Sequence, residues 1–177
     1  AAAFPLYLEG KFDTKEGHDG APSFRLDLNG GSIGFHYVGR DISVRTNSDY
    51  LVVAWCKTSP LTWARAYITA RYLDRKGRVI EGTQRCSELI GGTGEPQEWV
   101  PLTIGLPGNV PDSRYIGISV WLTQASVWNT SVRPMRSVEF QEIKASAWFD
   151  DITVYRLPRV CLRTSRPGNV FTEMEPV

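Results

Sequence analysis

Apolar and polar positions alternate along most of this chain, in short runs broken by glycine, proline and asparagine. Successive side chains on a strand point to opposite faces, so a period of two reads as half-buried β-strand. Ser23, Phe24, Arg25, Leu26, Asp27 and Leu28 alternate and then meet Asn29-Gly30-Gly31, a strong turn signal. Residues 33–38 form a second short run. Residues 50–57 are apolar on both faces and predict a central strand that stops at Thr58-Ser59-Pro60. Residues 99–104 predict another strand, ended by Leu106-Pro107-Gly108. The cleanest alternation covers residues 114–124: Ile116, Ile118, Val120 and Leu122 face one way, and Tyr115, Ser119 and Trp121 the other. A long polar segment containing Trp128 follows, then a run at residues 138–143 and a last strand over residues 146–157.

Residues 61–73 support two readings. Leu61, Ala64, Ile68 and Tyr72 make a helical stripe, whereas Ala64, Ala66, Ile68, Ala70 and Tyr72 make one face of a strand. Strand is preferred, because Asp74-Arg75-Lys76-Gly77 then turns the chain toward Arg78-Val79-Ile80 and predicts a hairpin with Gly77 in the left-handed conformation. Gly91-Gly92-Thr93-Gly94 reads as a flexible loop. The last strand carries a contradiction. Asp150 and Asp151 are adjacent in it, so on a regular strand one of them points toward the core.

Roughly eight to ten short strands with turn signals about ten residues apart, and no convincing helix, predict an all-β fold: a β-sandwich jelly roll of two antiparallel sheets. Residues 1–157 are read as this domain and residues 158–177 as a C-terminal extension or linker toward a following domain. The chain opens without Met or a signal pattern, which reads as a processed chain or a piece of a larger protein.

Composition narrows function more than fold. Formal net charge is +1 with scattered Lys and Arg, which argues against a dedicated nucleic-acid surface. The chain has no apolar run of about 18 residues, so no membrane span is expected. Three cysteines, Cys56, Cys86 and Cys161, are too few for a disulfide framework. One Cys56–Cys86 bridge is compatible with the sequence, and so are three free thiols, since buried free Cys is common. With two His and no zinc spacing, no G-x-S-x-G elbow and no phosphate loop, nothing marks a catalytic constellation. Asn129-Thr130-Ser131 is a formal glycosylation sequon.

Four segments, in this order, resemble a carbohydrate-binding module of the galactose-binding-like jelly-roll type (families 4, 9, 16 and 22). The segment from His18-Asp19-Gly20 through Ser23-Phe24-Arg25-Leu26 is similar to the family's early strand. Tyr50-Leu51-Val52-Val53-Ala54-Trp55-Cys56-Lys57 is similar to its central strand. Glu98-Trp99-Val100-Pro101-Leu102 and Trp148-Phe149-Asp150-Asp151-Ile152-Thr153-Val154 are similar to two later ones. The resemblance covers most of residues 18–157. It implies a non-catalytic domain that binds polysaccharide or oligosaccharide and accompanies other domains of the same polypeptide in a large, secreted or cell-surface, bacterial carbohydrate-active enzyme. It also implies a structural calcium held by an aspartate of the closing strand, Asp151 or Asp150, with Glu9 as the first-strand carboxylate and Asp19 in the loop. A buried carboxylate is costly, and a calcium with six to eight oxygen ligands offsets that cost. The plain alternative is an aspartate that accepts backbone or Arg hydrogen bonds.

Sugars present C–H faces and hydroxyl rims, so their sites combine flat aromatics with forked polar groups. If Ala64, Ala66, Ile68 and Ala70 face the core, then Arg65, Tyr67 and Arg71 face out together with Trp121. In the family that is the concave face, and Trp55, Trp63 and Trp128 would extend or rim it. Trp99, Trp148 and Tyr50 read as core. The two arginines hint at an acidic or sulfated sugar. A structural sandwich packed between domains, with no ligand of its own, is the competing reading. A lyase or hydrolase using Tyr67 and the arginines is a more distant third.

Overall fold

In the computed structural model, which describes residues 9–20, 22–37, 39–124 and 142–158, the alternating runs fold as nine strands. They are β1 (Glu9–Asp13), β2 (Ser23–Asn29), β3 (Ile33–Tyr37), β4 (Asp49–Thr58), β5 (Ala64–Leu73), β6 (Arg85–Cys86), β7 (Gln97–Leu106), β8 (Tyr115–Gln124) and β9 (Lys144–Leu157). There is no helix among the described residues. One antiparallel sheet has the order β1-β2-β9-β4-β7 and the other β3-β8-β5-β6. Packed face to face, they form the β-sandwich jelly roll expected from the sequence.

Period two decides the core. β4 alternates without a break between half-buried and buried positions over its whole length. Its inward side chains, Tyr50, Val52, Ala54 and Cys56, meet Leu102, Ile104 and Leu106 of β7 and Ala145, Ala147 and Phe149 of β9. The opposite sheet contributes Ala64, Ala66, Ile68, Ala70 and Tyr72 from β5 and Ile116, Ile118, Val120 and Leu122 from β8. Each fully buried Leu or Ile contributes about 1.5–3 kcal/mol. The ambiguous stretch is therefore strand. Ten consecutive residues of β5 pair with β8, from Ala64 opposite Gln124 to Leu73 opposite Tyr115.

Three expectations are corrected. The turn at residues 74–77 forms, with Gly77 at φ 80° and Asp74 Oδ1 accepting from the Lys76 and Arg78 amides at 2.7 and 2.9 Å. The returning hairpin strand does not form; Val79 makes a single bridge to Leu73. The Thr83 hydroxyl accepts from the Tyr72 amide at 3.1 Å and diverts the chain, so the short β6 lies against β5 instead. Trp99 and Trp148 belong to the outer face, because the inward parity of their strands falls on Leu102 and Ile104 and on Ala147 and Phe149. Tyr50 is core, as expected.

The third correction resolves the paired aspartates. Val53 pairs with Thr153 but Trp55 pairs with Asp150, so Asp151 and Ile152 stand against Ala54 alone. This is a β-bulge. Asp151 has φ 47°, a left-handed conformation that Asp enters more readily than most residues. The bulge shifts the parity of β9. Phe149 points inward before it and Val154 packs on the core after it, while Asp150 and Asp151 both reach the outer surface. Cys56 and Cys86 are free thiols, one buried and one exposed; Cys161, the sequon, Trp128 and most of the run at residues 138–143 lie outside the described residues.

Candidate functional site

The outer face of the four-stranded sheet collects the residues that face away from the core. The β5–β8 register sets Tyr67 opposite Trp121, Arg65 opposite Thr123 and Thr69 opposite Ser119. β3 adds Gly34 opposite Trp121 and His36 opposite Ser119. Trp121 lies across this surface. Its Nε1–H donates to Thr69 Oγ1 at 3.0 Å on one side. On the other side its six-membered ring covers Gly34, where an added Cβ would stand 2.3 Å from Cε3. The Tyr67 ring runs parallel to it, with centroids 6.0 Å apart and planes 7° apart. His36 meets the indole edge-on at 4.8 Å, and its Nδ1 is 2.8 Å from Ser119 Oγ. Trp121 is half-buried, whereas Tyr67 is only 7% exposed.

The electrostatics are cationic and neutral. Burial pushes the Tyr67 phenol up, so it stays protonated near neutral pH. Burial, with the nearby Arg71 charge adding to it, lowers the His36 imidazole. Arg71 is half-buried; its buried Nε has no partner among the described residues, and its Nη1 reaches Gln84 Oε1 only at 3.5 Å. Arg65 instead donates to the carbonyls of Thr62 and Ala64 at 3.1 and 2.8 Å, and Gly92 leaves room for its guanidinium. Arg71 is thus the freer donor of the pair.

Trp63 stands where β5 begins. Its amide and that of Ala64 donate to the Glu142 carboxylate at 2.8 and 2.5 Å, and the Thr62 amide joins them. The amide group of Gln124, 2% exposed, bonds the Glu142 backbone in both directions at 3.0 and 3.3 Å. One carboxylate so satisfies three backbone donors and anchors the loop that carries Trp63. Neither Glu142 nor Gln124 was visible as a positioning residue in the sequence, because the link crosses from one sheet to the other. Gly34 and His36 were missed too, although the period of two through residues 33–37 places them on one face.

Trp55, grouped with this face in the sequence, lies on the opposite sheet. It is covered by the His18 ring, with centroids 3.8 Å apart and planes 16° apart. Around His18 gather three of the four carboxylates expected to ligate metal. The His18 amide donates to Asp150 Oδ2 at 2.8 Å, His18 Nδ1 is 2.9 Å from Asp151 Oδ2 and 3.5 Å from Asp19 Oδ1. Glu9 is elsewhere, ion-paired to Lys11 at 2.7 Å and opposite Asp27. The β1 carboxylate nearest the aspartates of β9 is Asp13, opposite Ser23 and bonded to Trp148 Nε1 at 3.0 Å.

The side chains gathered here do not by themselves complete a calcium shell. Calcium takes six to eight oxygens. Here both oxygens of Asp150 accept backbone amides, from His18 and from Asp151. The remaining converging donors are two carboxylates and an imidazole nitrogen.

No protein-family profile and no curated protein sequence matches the chain. Solved structures do resemble it. The CBM22-1–GH10 modules of a Clostridium thermocellum endo-1,4-β-D-xylanase, solved with xylohexaose, superpose with a TM-score of 0.55 at 13% identity, over 92% of this chain and 27% of that one. The CBM22-2 xylan-binding domain from Paenibacillus barcinonensis Xyn10C gives 0.50 at 10% identity, over 86% and 89%. The enzymatically active domain of bacteriophage CBA120 tailspike protein 4 gives 0.53 at 10% identity, over 85% of this chain and 18% of that one. The chain spans about a quarter or less of the xylanase and tailspike chains, but most of the Paenibacillus domain. At these identities the likeness establishes a shared fold: this chain is a β-sandwich built like those of xylan-binding modules.

Proposed function

We propose that this chain is a non-catalytic carbohydrate-binding domain that holds a polysaccharide or oligosaccharide on the outer face of its four-stranded sheet. The observation that carries the reading is the Trp121 ring. It lies across the sheet over Gly34, is tied to Thr69 through Nε1, and runs parallel to Tyr67. An indole held in this way presents a fixed π face to the C–H face of a pyranose ring at little entropic cost. Arg71, four residues from Tyr67 on the same face of β5, would supply guanidinium Nη donors for ring hydroxyls or a sugar carboxylate, since Nη1 reaches Gln84 Oε1 only at 3.5 Å. Arg65 and Trp63 rim the surface from the start of β5, and Trp128, outside the described residues, completes the proposed set.

The shared fold with xylan-binding modules makes xylan the first polysaccharide to test. In the Clostridium structure such a module accompanies a GH10 module. The same arrangement here would make this an accessory domain of a secreted bacterial carbohydrate-active protein, raising the effective concentration of substrate at a neighbouring domain.

Affinity gels and calorimetry against xylan, β-glucan and acidic polysaccharides test the reading. Trp121→Ala is expected to weaken binding by more than about tenfold, roughly 1.4 kcal/mol or more, while leaving the unfolding midpoint close to that of the parent. Retained affinity in this variant would remove the proposed face from the account. The structural-sandwich reading rests on a different observation, the exposed aromatic edge of Phe12 (73% exposed), Phe35 and Tyr37 along β1 and β3. It would be favoured by an absence of binding across the whole panel.

A further inference from the structure

Charge is divided between the two sheets. The strands of the four-stranded sheet, β3, β5, β6 and β8, contain no Asp or Glu, but they carry Arg65, Arg71, Arg85 and His36. Every acidic residue within a described strand belongs to the five-stranded sheet. The formal net charge of the whole chain is only +1, so this segregation gives one sheet a positive field that the totals conceal. Three loop carboxylates beside these strands are already occupied: Asp41 by the Tyr37 hydroxyl, Asp74 by Arg78, and Glu142 by the amides at the start of β5. Glu81 and Glu88 are exposed in the loops on either side of β6, at the edge of the sheet.

We propose that the ligand of this face is an acidic glycan of the uronate class, a polysaccharide with one sugar ring on Trp121 and a carboxylate on the Arg71 guanidinium. The proposal rests on the carbohydrate reading above and names its substrate class. Arg65 and Arg85 each donate Nη1 to two backbone carbonyls, Arg65 to those of Thr62 and Ala64 and Arg85 to those of Gly82 and Gln84. Arg71 differs. Its one hydrogen bond among the described residues runs from Nη1 to Gln84 Oε1 at 3.5 Å, at the limit of bonding length and to an exposed side chain that can turn away. A carboxylate meets a guanidinium with two parallel, charge-assisted bonds, each about twice as strong as a neutral one. One unspent guanidinium suits one carboxylate, whereas a densely sulfated chain asks for several.

Strand register puts this charge within reach of the stacked ring. Trp121 is bonded to Thr69, and Arg71 lies two residues further along the same face of β5, about 7 Å at the rise of a strand. A sugar on Trp121 thus sends a substituent, or its neighbour in the chain, toward the guanidinium. Directly opposite Arg71 on β8 stands Gly117, so no β8 side chain competes for that position. The atoms nearest an added Cβ at Gly117 belong to Leu73, at 3.4 to 3.5 Å, which are ordinary contacts. His36, opposite Ser119 and so two register positions from Gly117, is exposed. Burial and then the Arg71 charge lower its imidazole, so near neutral pH it is an uncharged hydrogen-bonding group at the rim of this space.

The test is calorimetry of the full chain with two matched pairs: glucuronoxylan and its carboxyl-reduced form, and polygalacturonate and its methyl ester. Within a pair the backbone is the same and only the charge differs. In the pair that binds, the acid is expected to bind about tenfold tighter or more. Raising NaCl from about 0.05 M to about 1 M, where the screening length is about 3 Å, should remove most of that preference and leave the neutral member within about twofold. Arg71→Gln is expected to bring the acid down to the affinity of its neutral partner, with the neutral partner itself within about twofold. Arg71→Lys keeps the charge without the fork and should retain a smaller preference; with the salt series it serves if Arg71→Gln fails to fold. Equal affinity within both pairs, or a preference that survives Arg71→Gln, overturns the acidic-glycan proposal and leaves the carbohydrate reading standing. Dextran sulfate that binds the parent as tightly as the acid does overturns it too, as plain charge attraction. Binding of neither pair also overturns it, and the carbohydrate reading falls with it when β-glucan fails as well.

Discussion

Gly34 shows how a single missing methyl group can make a surface. It sits on edge strand β3, directly opposite Trp121, and the indole fills the space a side chain would take. Valine suits an edge strand by propensity, so Gly34→Val is expected to fold. Its Cβ would nevertheless displace the Trp121 ring and break its bond to Thr69. Relieving such a clash typically costs about 1–3 kcal/mol. The expected outcome is glycan affinity reduced about tenfold with the core unchanged, read by calorimetry together with near-ultraviolet circular dichroism of the tryptophans. Unaltered affinity would mean that the flat placement of the ring is not what the ligand needs. Composition and periodicity pointed to Trp121 and Tyr67 as outward residues. They could not indicate Gly34, because a glycine in a strand signals a close approach without saying what approaches.

Among the elements, the three strands β1, β2 and β9 are tied by one carboxylate. Asp13 accepts from Trp148 Nε1 at 3.0 Å, from the Lys15 amide at 3.0 Å and from Arg25 at 3.3 Å. The Trp148 hydrogen bond is the largest cause that holds its carboxyl down, at about 2. An unfolded aspartate titrates near 3.9. The folded value is the lower one, so the unfolded state binds more protons between the two. The stabilisation is therefore fully present above about pH 4 and is lost as the pH falls toward about 2. Urea unfolding of the parent and of Asp13→Asn over this range should show the difference between them shrinking on acidification. A difference that stays constant with pH would assign the role of Asp13 to packing. Strands themselves were legible from the period of two, with β2, β4, β7 and β8 close to their expected bounds. The failed hairpin after β5 was not, because Thr83 competes for a backbone amide eleven residues away.

For the whole molecule, the Trp121 surface and the Asp13 carboxylate belong to opposite sheets, with the core of Leu26, Phe149, Leu122 and their neighbours between them. Sheets packed in this way stand about 10 Å apart, and sites separated by a rigid core with no shared partners behave additively. Asp13→Asn is thus expected to leave glycan affinity within about twofold of the parent, measured by calorimetry. Asp13→Asn and Trp121→Ala should add in the double variant. A shift beyond about fivefold in glycan affinity would show that the sandwich transmits a change between its faces.

Local alternation by itself pointed to an all-β chain and marked which residues of β8 face the core; over residues 61–73 it left helix and strand open, and the ladder of β5 with β8 decided that Arg65, Tyr67 and Arg71 share a face with Trp121. Alternation is written in neighbouring residues and needs no knowledge of partners. Only the tertiary structure decided that Trp55 belongs to the opposite sheet beneath His18, that Glu142 anchors the Trp63 loop, that Glu9 lies apart from the closing-strand aspartates, and that Asp150 and Asp151 both face outward. Each of these depends on register between strands far apart in the chain. A one-residue bulge there reverses every face that follows it, and no local pattern records on which side of the bulge a carboxylate will lie.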